Sequence, residues 1–423
     1  MTMNEKILLI LVHSTQNIGD LSLLEISIKF FKKYFTNAEI VISANFPKEK
    51  WYKENGVSVV PSPLVLVGNI QSASTYLQII RFLSGCLFTI LYKFHLRQFI
   101  PKDWKQLLHE YETTTFVAAV PGNQFFSTSY FGWPYPVKIF SVALTIFFGK
   151  PLYILPQSIG PLRRWWEKKL LRWSYSKAKC IFLRDKTSLE VALRIGLPED
   201  KVIFSPDPAF VLKPALRIEA QKLLRSYGWN PKKYSIGVTV IAPMGKSLDQ
   251  KLINQYYEIL IKALIHFASS HSIQYVFFTQ VAGPTEIEDD RIPTRIIYEK
   301  LKKQTETVFI DTLIPPSLLK ACYGEMTIFL ASRLHSGIFS IGMGVPTLFI
   351  GYLTKTRGIL KMLGIDKYVI ELQDMDEKVL ITHLEKLWNR KEEITIDLKL
   401  KINDLLKNID LPYKLIWERQ NNG

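Results

Sequence analysis

Read as a pattern of apolar and polar positions, the chain opens on Lys6–Val12 (KILLILV), a short unbroken apolar run that predicts a strand buried on both faces. A polar turn, His13 to Asp20, follows, and apolar residues then recur at helical spacing from Leu21 to Tyr34. Further strands are predicted at 39–43, 57–61, 115–120 and 151–155, with helical stretches between them. This alternation argues for a parallel sheet covered by helices. The polar, proline-punctuated stretch after Asp207 breaks the rhythm, and Ser235–Ile241 restarts it, with further strands at 275–280, 307–310, 327–331 and 347–350. The pattern predicts two Rossmann-like α/β domains, at residues 1–215 and 216–390, and a polar helical tail at 391–423 that lies across them.

Two segments depart from the alternation. Tyr76–Lys105 combines aromatic and aliphatic residues with Lys93, Arg97, Lys102 and Lys105, and reads either as an amphipathic helix on an anionic bilayer or as a helix packed on a neighbouring domain. Arg163–Lys186 holds nine Lys or Arg against Glu167 and Asp185, with Trp165, Trp166 and Trp173 interleaved. No nucleic-acid module surrounds it, so a solvated or headgroup-facing surface is the expectation and nucleic acid is not an expected partner.

The 423 residues, 48% of them hydrophobic, suffice for two cores, and the net charge of +16 predicts attraction to something negative. Cys86, Cys180 and Cys322 have neither disulfide nor zinc spacing, so no metal is expected and a reducing, cytoplasmic compartment fits. The N-terminus carries an apolar run without a cleavage region and reads as a strand, not a signal peptide. The uncharged runs Phe82–Tyr92 and Ile139–Gly149 fall short of the roughly 20 residues a spanning helix needs.

Candidate chemistry clusters where predicted strands hand over to helices, the edge at which parallel sheets present backbone amides to ligands. Asn17-Ile18-Gly19-Asp20 follows the first strand, with Asp20 either a helix cap or a ligand-facing acid. Pro121-Gly122-Asn123 and Gln157-Ser158-Ile159-Gly160-Pro161 follow two later strands, and Arg184-Asp185 ends another. The strongest constellation is Ser332-Arg333-Leu334-His335-Ser336-Gly337, between a strand and a helix of small and apolar residues. There a permanent cation, a helix N-terminus and an imidazole that titrates near neutrality share one short segment. Lys355 and Arg357 follow the next strand and add cations to that edge.

In order, Asn17-Gly19-Asp20, Ser158-Ile159-Gly160-Pro161, Arg184-Asp185 with Ser188, Asp207-Pro208-Ala209, Asp289-Asp290-Arg291, Arg333-Leu334-His335 and Tyr352 with Lys355 resemble the polysaccharide pyruvyl transferase family. The resemblance implies a GT-B-like arrangement of the two domains with the active site in the interdomain cleft. It further implies phosphoenolpyruvate as donor, no other cofactor, and a saccharide acceptor on which a pyruvate ketal forms in cell-surface polysaccharide synthesis. Arg184 and Arg333 would then hold the donor, with Lys355 assisting, His335 and Asp20 would carry the proton chemistry, and Asn17, Gly19, Ser158 and Gly160 would line the substrate site. A lipid-linked acceptor and peripheral contact with the inner face of the membrane suit the charge. Two readings compete: a GT-B nucleotide-sugar glycosyltransferase, and a non-catalytic saccharide- or lipid-binding relative. Phe339 stands where many retaining glycosyltransferases place a ribose-binding glutamate, five residues before Gly344.

Overall fold

The computed structural model describes residues 5–68, 75–127, 135–243, 249–352 and 354–421, apart from the side chains of Thr75, Thr354 and Lys355. They divide into two compact units: the first comprises residues 1–15, 23–207 and 410–423, the second 16–22 and 208–409.

In the first unit eight strands form one parallel sheet: β1 (Lys6–Val12), β2 (Glu39–Ala44), β3 (Ser58–Pro61), β4 (Phe116–Ala119), β5 (Gly122–Phe125), β6 (Leu152–Ile159), β7 (Cys180–Leu183) and β8 (Val202–Phe204). Their order is β3-β2-β1-β4-β6-β7-β8, with β5 paired to β6. The inner strands are buried on both faces. Leu8, Ile10, Val117, Ala119, Ile154 and Ile181 enter one core, while Ile7, Leu9, Phe116, Ala118, Tyr153 and Phe182 enter the other. Burial on both faces is why these strands read as continuous apolar runs rather than alternating ones.

The second unit holds a six-stranded parallel sheet: β9 (Tyr234–Thr239), β10 (Ile273–Phe278), β11 (Thr307–Ile310), β12 (Ile328–Ala331), β13 (Thr347–Gly351) and β14 (Val369–Glu371). The order β11-β10-β9-β12-β13-β14 reverses direction at β9, the switch point where doubly wound sheets open a crevice at their carboxyl ends.

Three short strands lay outside the sequence pattern. β8 and β14 have three residues each, too few for a period. β5 occupies the Pro121-Gly122-Asn123 stretch expected to be a turn. β6 runs four residues beyond its expected end at Leu155, because Pro156 marks a bulge: the pairing with β7 shifts between Ile154 and Gln157 and then resumes. Ser158 therefore lies on a strand.

The polar tail forms two helices with different allegiances. Lys391–Leu406 belongs to the second unit, whereas Leu411–Asn421 completes the first. There Tyr413 is fully buried between Phe30 and Phe31, and its hydroxyl meets Ser27 Oγ at 2.9 Å.

Candidate active site

The second unit gathers Asn17, Gly19, Asp20, Asp290, Arg333, His335 and Tyr352 at the carboxyl ends of its strands. The loop before the helix Ile18–Tyr34 is stitched to the segment after β10: Asn17 forms an antiparallel bridge with Val281, Ile18 donates its amide to the Gln280 carbonyl at 3.1 Å, and Ala282 donates to the Gln16 carbonyl at 3.0 Å. Asn17, not Asp20, caps this helix. Its Oδ1 accepts from the amides of Gly19 (3.0 Å) and Asp20 (3.4 Å), and its Nδ2 donates to Asp20 Oδ2 at 3.0 Å. Asp20 sits inside the first turn, where a carboxylate is favoured by the helix dipole.

From β12 the chain turns through Ser332 and Arg333 into the helix Leu334–Gly342, and each residue of the turn has a fixed partner. Ser332 Oγ meets the buried Tyr256 hydroxyl at 2.7 Å, Ser336 Oγ meets Thr239 Oγ1 at 2.8 Å, and a Cβ on Gly337 would overlap the Phe349 ring at 1.9 Å. Arg333 is buried and grips Asp290 with two nitrogens, Nη2 to Oδ1 at 2.6 Å and Nε to Oδ2 at 3.0 Å. Asp290 Oδ1 also accepts from the Ala242 amide at 2.9 Å. Burial raises the Asp290 pKa, against the opposing pull of Arg333. Burial would lower that of Arg333, but Asp290 and Tyr352 together outweigh it and keep the guanidinium charged. Tyr352 faces the same guanidinium through a side-chain hydrogen bond, and burial raises its pKa.

His335 occupies the second position of that helix, half-buried, beside free-ended backbone amides. Its ring lies so close to Gly19 that a Cβ there would fall 2.2 Å from Nδ1. The arrangement thus puts an imidazole and a locked cation at a helix N-terminus, a combination suited to an anionic substrate.

The first unit holds Ser158, Gly160 and Arg184 in a second cluster. Arg184 is fully buried, donating from Nη1 to Asp207 Oδ2 at 2.6 Å and from Nε to Ser158 Oγ at 2.9 Å. Its Nη2 has no partner among the described residues. Asp185 caps the helix Lys186–Arg194 through the Ser188 amide, and the Ser188 hydroxyl donates to Asp185 while accepting from the Ile159 amide at 2.8 Å. Gly160 has a φ of 86°, a left-handed conformation that favours glycine, and its amide donates to the Phe125 carbonyl. In the second unit, Lys355 is the second residue of the helix Thr354–Met362 after β13, and its side chain lies outside the described residues. Asp290 was visible only as part of the Asp289-Asp290-Arg291 motif. Nothing local in the sequence marked it, rather than Asp289, as the partner of Arg333.

Two doubly wound parallel sheets of this kind define the fold of GT-B glycosyltransferases and sugar-nucleotide epimerases. The chain superposes on a glycosyltransferase from Rickettsia africae with a TM-score of 0.61 at 11% identity, covering all of both chains. With a UDP-GlcNAc 2-epimerase from Neisseria meningitidis the TM-score is 0.58 at 12% identity, again over both whole chains. Residues 17–354 match the polysaccharide pyruvyl transferase model, and the chain belongs to that family. It is also 25% identical to the amylovoran biosynthesis protein AmsJ of Erwinia amylovora over 410 residues, 92% of this chain and 93% of AmsJ. The protein is therefore a transferase with a pyruvyl-transfer role in polysaccharide biosynthesis.

Proposed function

We propose that the donor is phosphoenolpyruvate and that the product is a pyruvate ketal on a sugar of a polysaccharide or lipid-linked saccharide. The observation that carries this reading is His335, seated over Gly19 at a helix N-terminus beside the Arg333–Asp290 pair. In the proposed reaction the methylene carbon of the donor gains a proton, a sugar hydroxyl adds at the neighbouring carbon, phosphate leaves and a second hydroxyl takes its place. Of the two hydroxyl protons, one ends on the new methyl group and the other departs with phosphate. His335 is the group able to pass these protons, and Asp20, half-buried one helical turn from Asn17, is the candidate base for a sugar hydroxyl. Asn17 and Gly19 shape the floor of that site.

The cation of Arg333 and the helix amides favour the donor's negative groups, with Lys355 proposed as a further cation. Arg184 takes a different part: neutralised by Asp207 and shielded from solvent, it positions Ser158 and the Gly160 turn, with Nη2 the nitrogen still able to donate. Donor and acceptor are substrates, and no further cofactor is proposed. The site of action proposed is the cytoplasm at the inner membrane face, where lipid-linked saccharides are assembled.

Nucleotide-sugar transfer is the competing activity, since the fold serves it too. Against it, Phe339 is fully buried beside Tyr323, in the core rather than at a ribose. Thermal melting with phosphoenolpyruvate and, separately, with nucleotide sugars decides between them. Stabilisation by phosphoenolpyruvate that His335→Ala retains, together with acceptor-dependent phosphate release that His335→Ala loses, is the expected result. Stabilisation by a nucleotide sugar alone overturns the proposal.

A further inference from the structure

The helix Thr75–Lys93 is apolar on both sides, so covering one of them with the core leaves another in water. Its inward face packs Phe82, Phe88, Leu91 and Tyr92 against the first unit's core beside the almost fully buried Gln78 and Thr89, and Trp104 packs against Gly85 where a Cβ would stand 2.6 Å from the ring. Thr89 satisfies its hydroxyl on the Gly85 carbonyl and Tyr92 donates to Glu112. The outward face carries Tyr76, Ile80, Leu83, Leu87, Ile90 and, just past the helix end, Phe94, all exposed. These residues follow alternating four- and three-residue steps, so they form one straight ridge about 27 Å long. Leu83 is 59% exposed, Leu87 53% and Phe94 70%. A monomeric soluble surface rarely leaves so continuous an apolar strip in water.

We propose that this ridge is the surface by which the protein lies on an anionic lipid bilayer. The charge distribution selects this occupant. The helix has no acidic residue, and the segment 76–105 holds Arg81, Lys93, Arg97, Lys102 and Lys105 against Asp103 alone. Of these cations Arg97 is paired with Glu112. The helix Trp165–Tyr175 contributes to the same helical layer, its Leu171 and Tyr175 sharing one core with Tyr92 and Trp104. That helix exposes Trp165 and Trp173, with Lys169 Nζ 4.9 Å from the Trp165 ring centre, a mixture suited to the headgroup zone. No helix among the described residues is long and apolar enough to cross a membrane, so the ridge lies in the bilayer plane. Docking there would bring the enzyme to a lipid-linked acceptor, and in that respect the inference rests on the reading above.

The test is co-sedimentation of the full chain with phosphatidylglycerol-containing vesicles and with neutral phosphatidylcholine vesicles, comparing the wild type with Leu83→Glu/Leu87→Glu. Both positions are exposed, and an unchanged melting temperature shows that the variant folds. The expected result is that anionic vesicles carry down the wild type, neutral ones carry down far less, and the double variant loses at least tenfold of its bound fraction. Equal sedimentation of variant and wild type overturns the inference. So does a wild type that ignores vesicles and is a dimer in solution, with the variant monomeric, since the ridge then covers a second copy. Vesicle binding by a protein indifferent to phosphoenolpyruvate refutes the donor and leaves the surface standing. Phosphate release on a water-soluble acceptor without vesicle binding does the reverse.

Discussion

Gly19 and His335, 316 positions apart in the sequence, are in such close contact that no other residue at 19 leaves the imidazole where it is. Gly19 lies in a helix, where alanine is intrinsically favoured, so Gly19→Ala adds a single methyl at the ring and little else. On the proposed mechanism turnover falls by on the order of 10²- to 10⁴-fold, matching His335→Ala, while the fold persists. Steady-state kinetics beside a melting curve measures both. Full activity in the alanine variant would mean that the imidazole has no part in the chemistry.

The Arg333–Asp290 pair makes a prediction about stability separable from one about activity. Asp290→Ala leaves a buried guanidinium without its carboxylate, which costs about 3–5 kcal/mol in urea unfolding. Replacing both residues, Arg333→Met with Asp290→Leu, restores much of that stability because neither charge remains. On the proposed mechanism the double variant is inactive, since the cation assigned to the donor is gone.

Arg184→Lys tests the first unit's cluster. Lysine keeps the charge but has one nitrogen, which cannot reach Asp207 and Ser158 together as the guanidinium does. A loss of about 1–3 kcal/mol in unfolding free energy is expected from the unsatisfied buried groups. A variant as stable as the wild type would show that the pair does not hold the loops.

Lys320 gives a pH dependence. It is buried, and burial lowers its pKa to about 8, while its Nζ donates at 2.8 Å to the carbonyls of Phe210 and Leu212. The neutral amine retains two N–H groups, enough for both bonds. Between about pH 8 and the unfolded value of 10.5 the unfolded chain holds the extra proton, so Lys320 makes stability rise with pH there, by on the order of 3 kcal/mol in total. Chemical denaturation at pH 7.5 and pH 10 should show this rise in the wild type reduced in Lys320→Met. Lys138, also lowered to about 8 by burial, remains in both proteins and cancels in the comparison.

The long strands and both sheets were legible because burial on two faces imposes apolar runs that no other element of that length requires. The Ser332–Gly337 turn was legible for a similar reason: charged and small residues interrupt an apolar strand–helix passage. Partnerships were harder to read. Asn17 outcompetes Asp20 as the cap through which amides its side chain meets, and Asp290 becomes the Arg333 partner only once β10 and β12 flank β9. The helix Thr75–Lys93 was visible as a run of aromatic and aliphatic residues, but such a run does not say which of its faces the core covers. The packing of Phe82, Phe88 and Tyr92 into the core shows which apolar side is covered and leaves Leu83 and Leu87 outside.

The helix Leu411–Asn421 sets an order of events during synthesis. Tyr413 fills a core whose other walls, Phe30, Phe31 and Phe116, are translated some three to four hundred residues earlier. On a ribosome the second unit's strands are therefore all made while the first still lacks a wall. The first unit's apolar seam therefore waits for the helix Leu411–Asn421, which emerges only after residues 208–409 of the second unit.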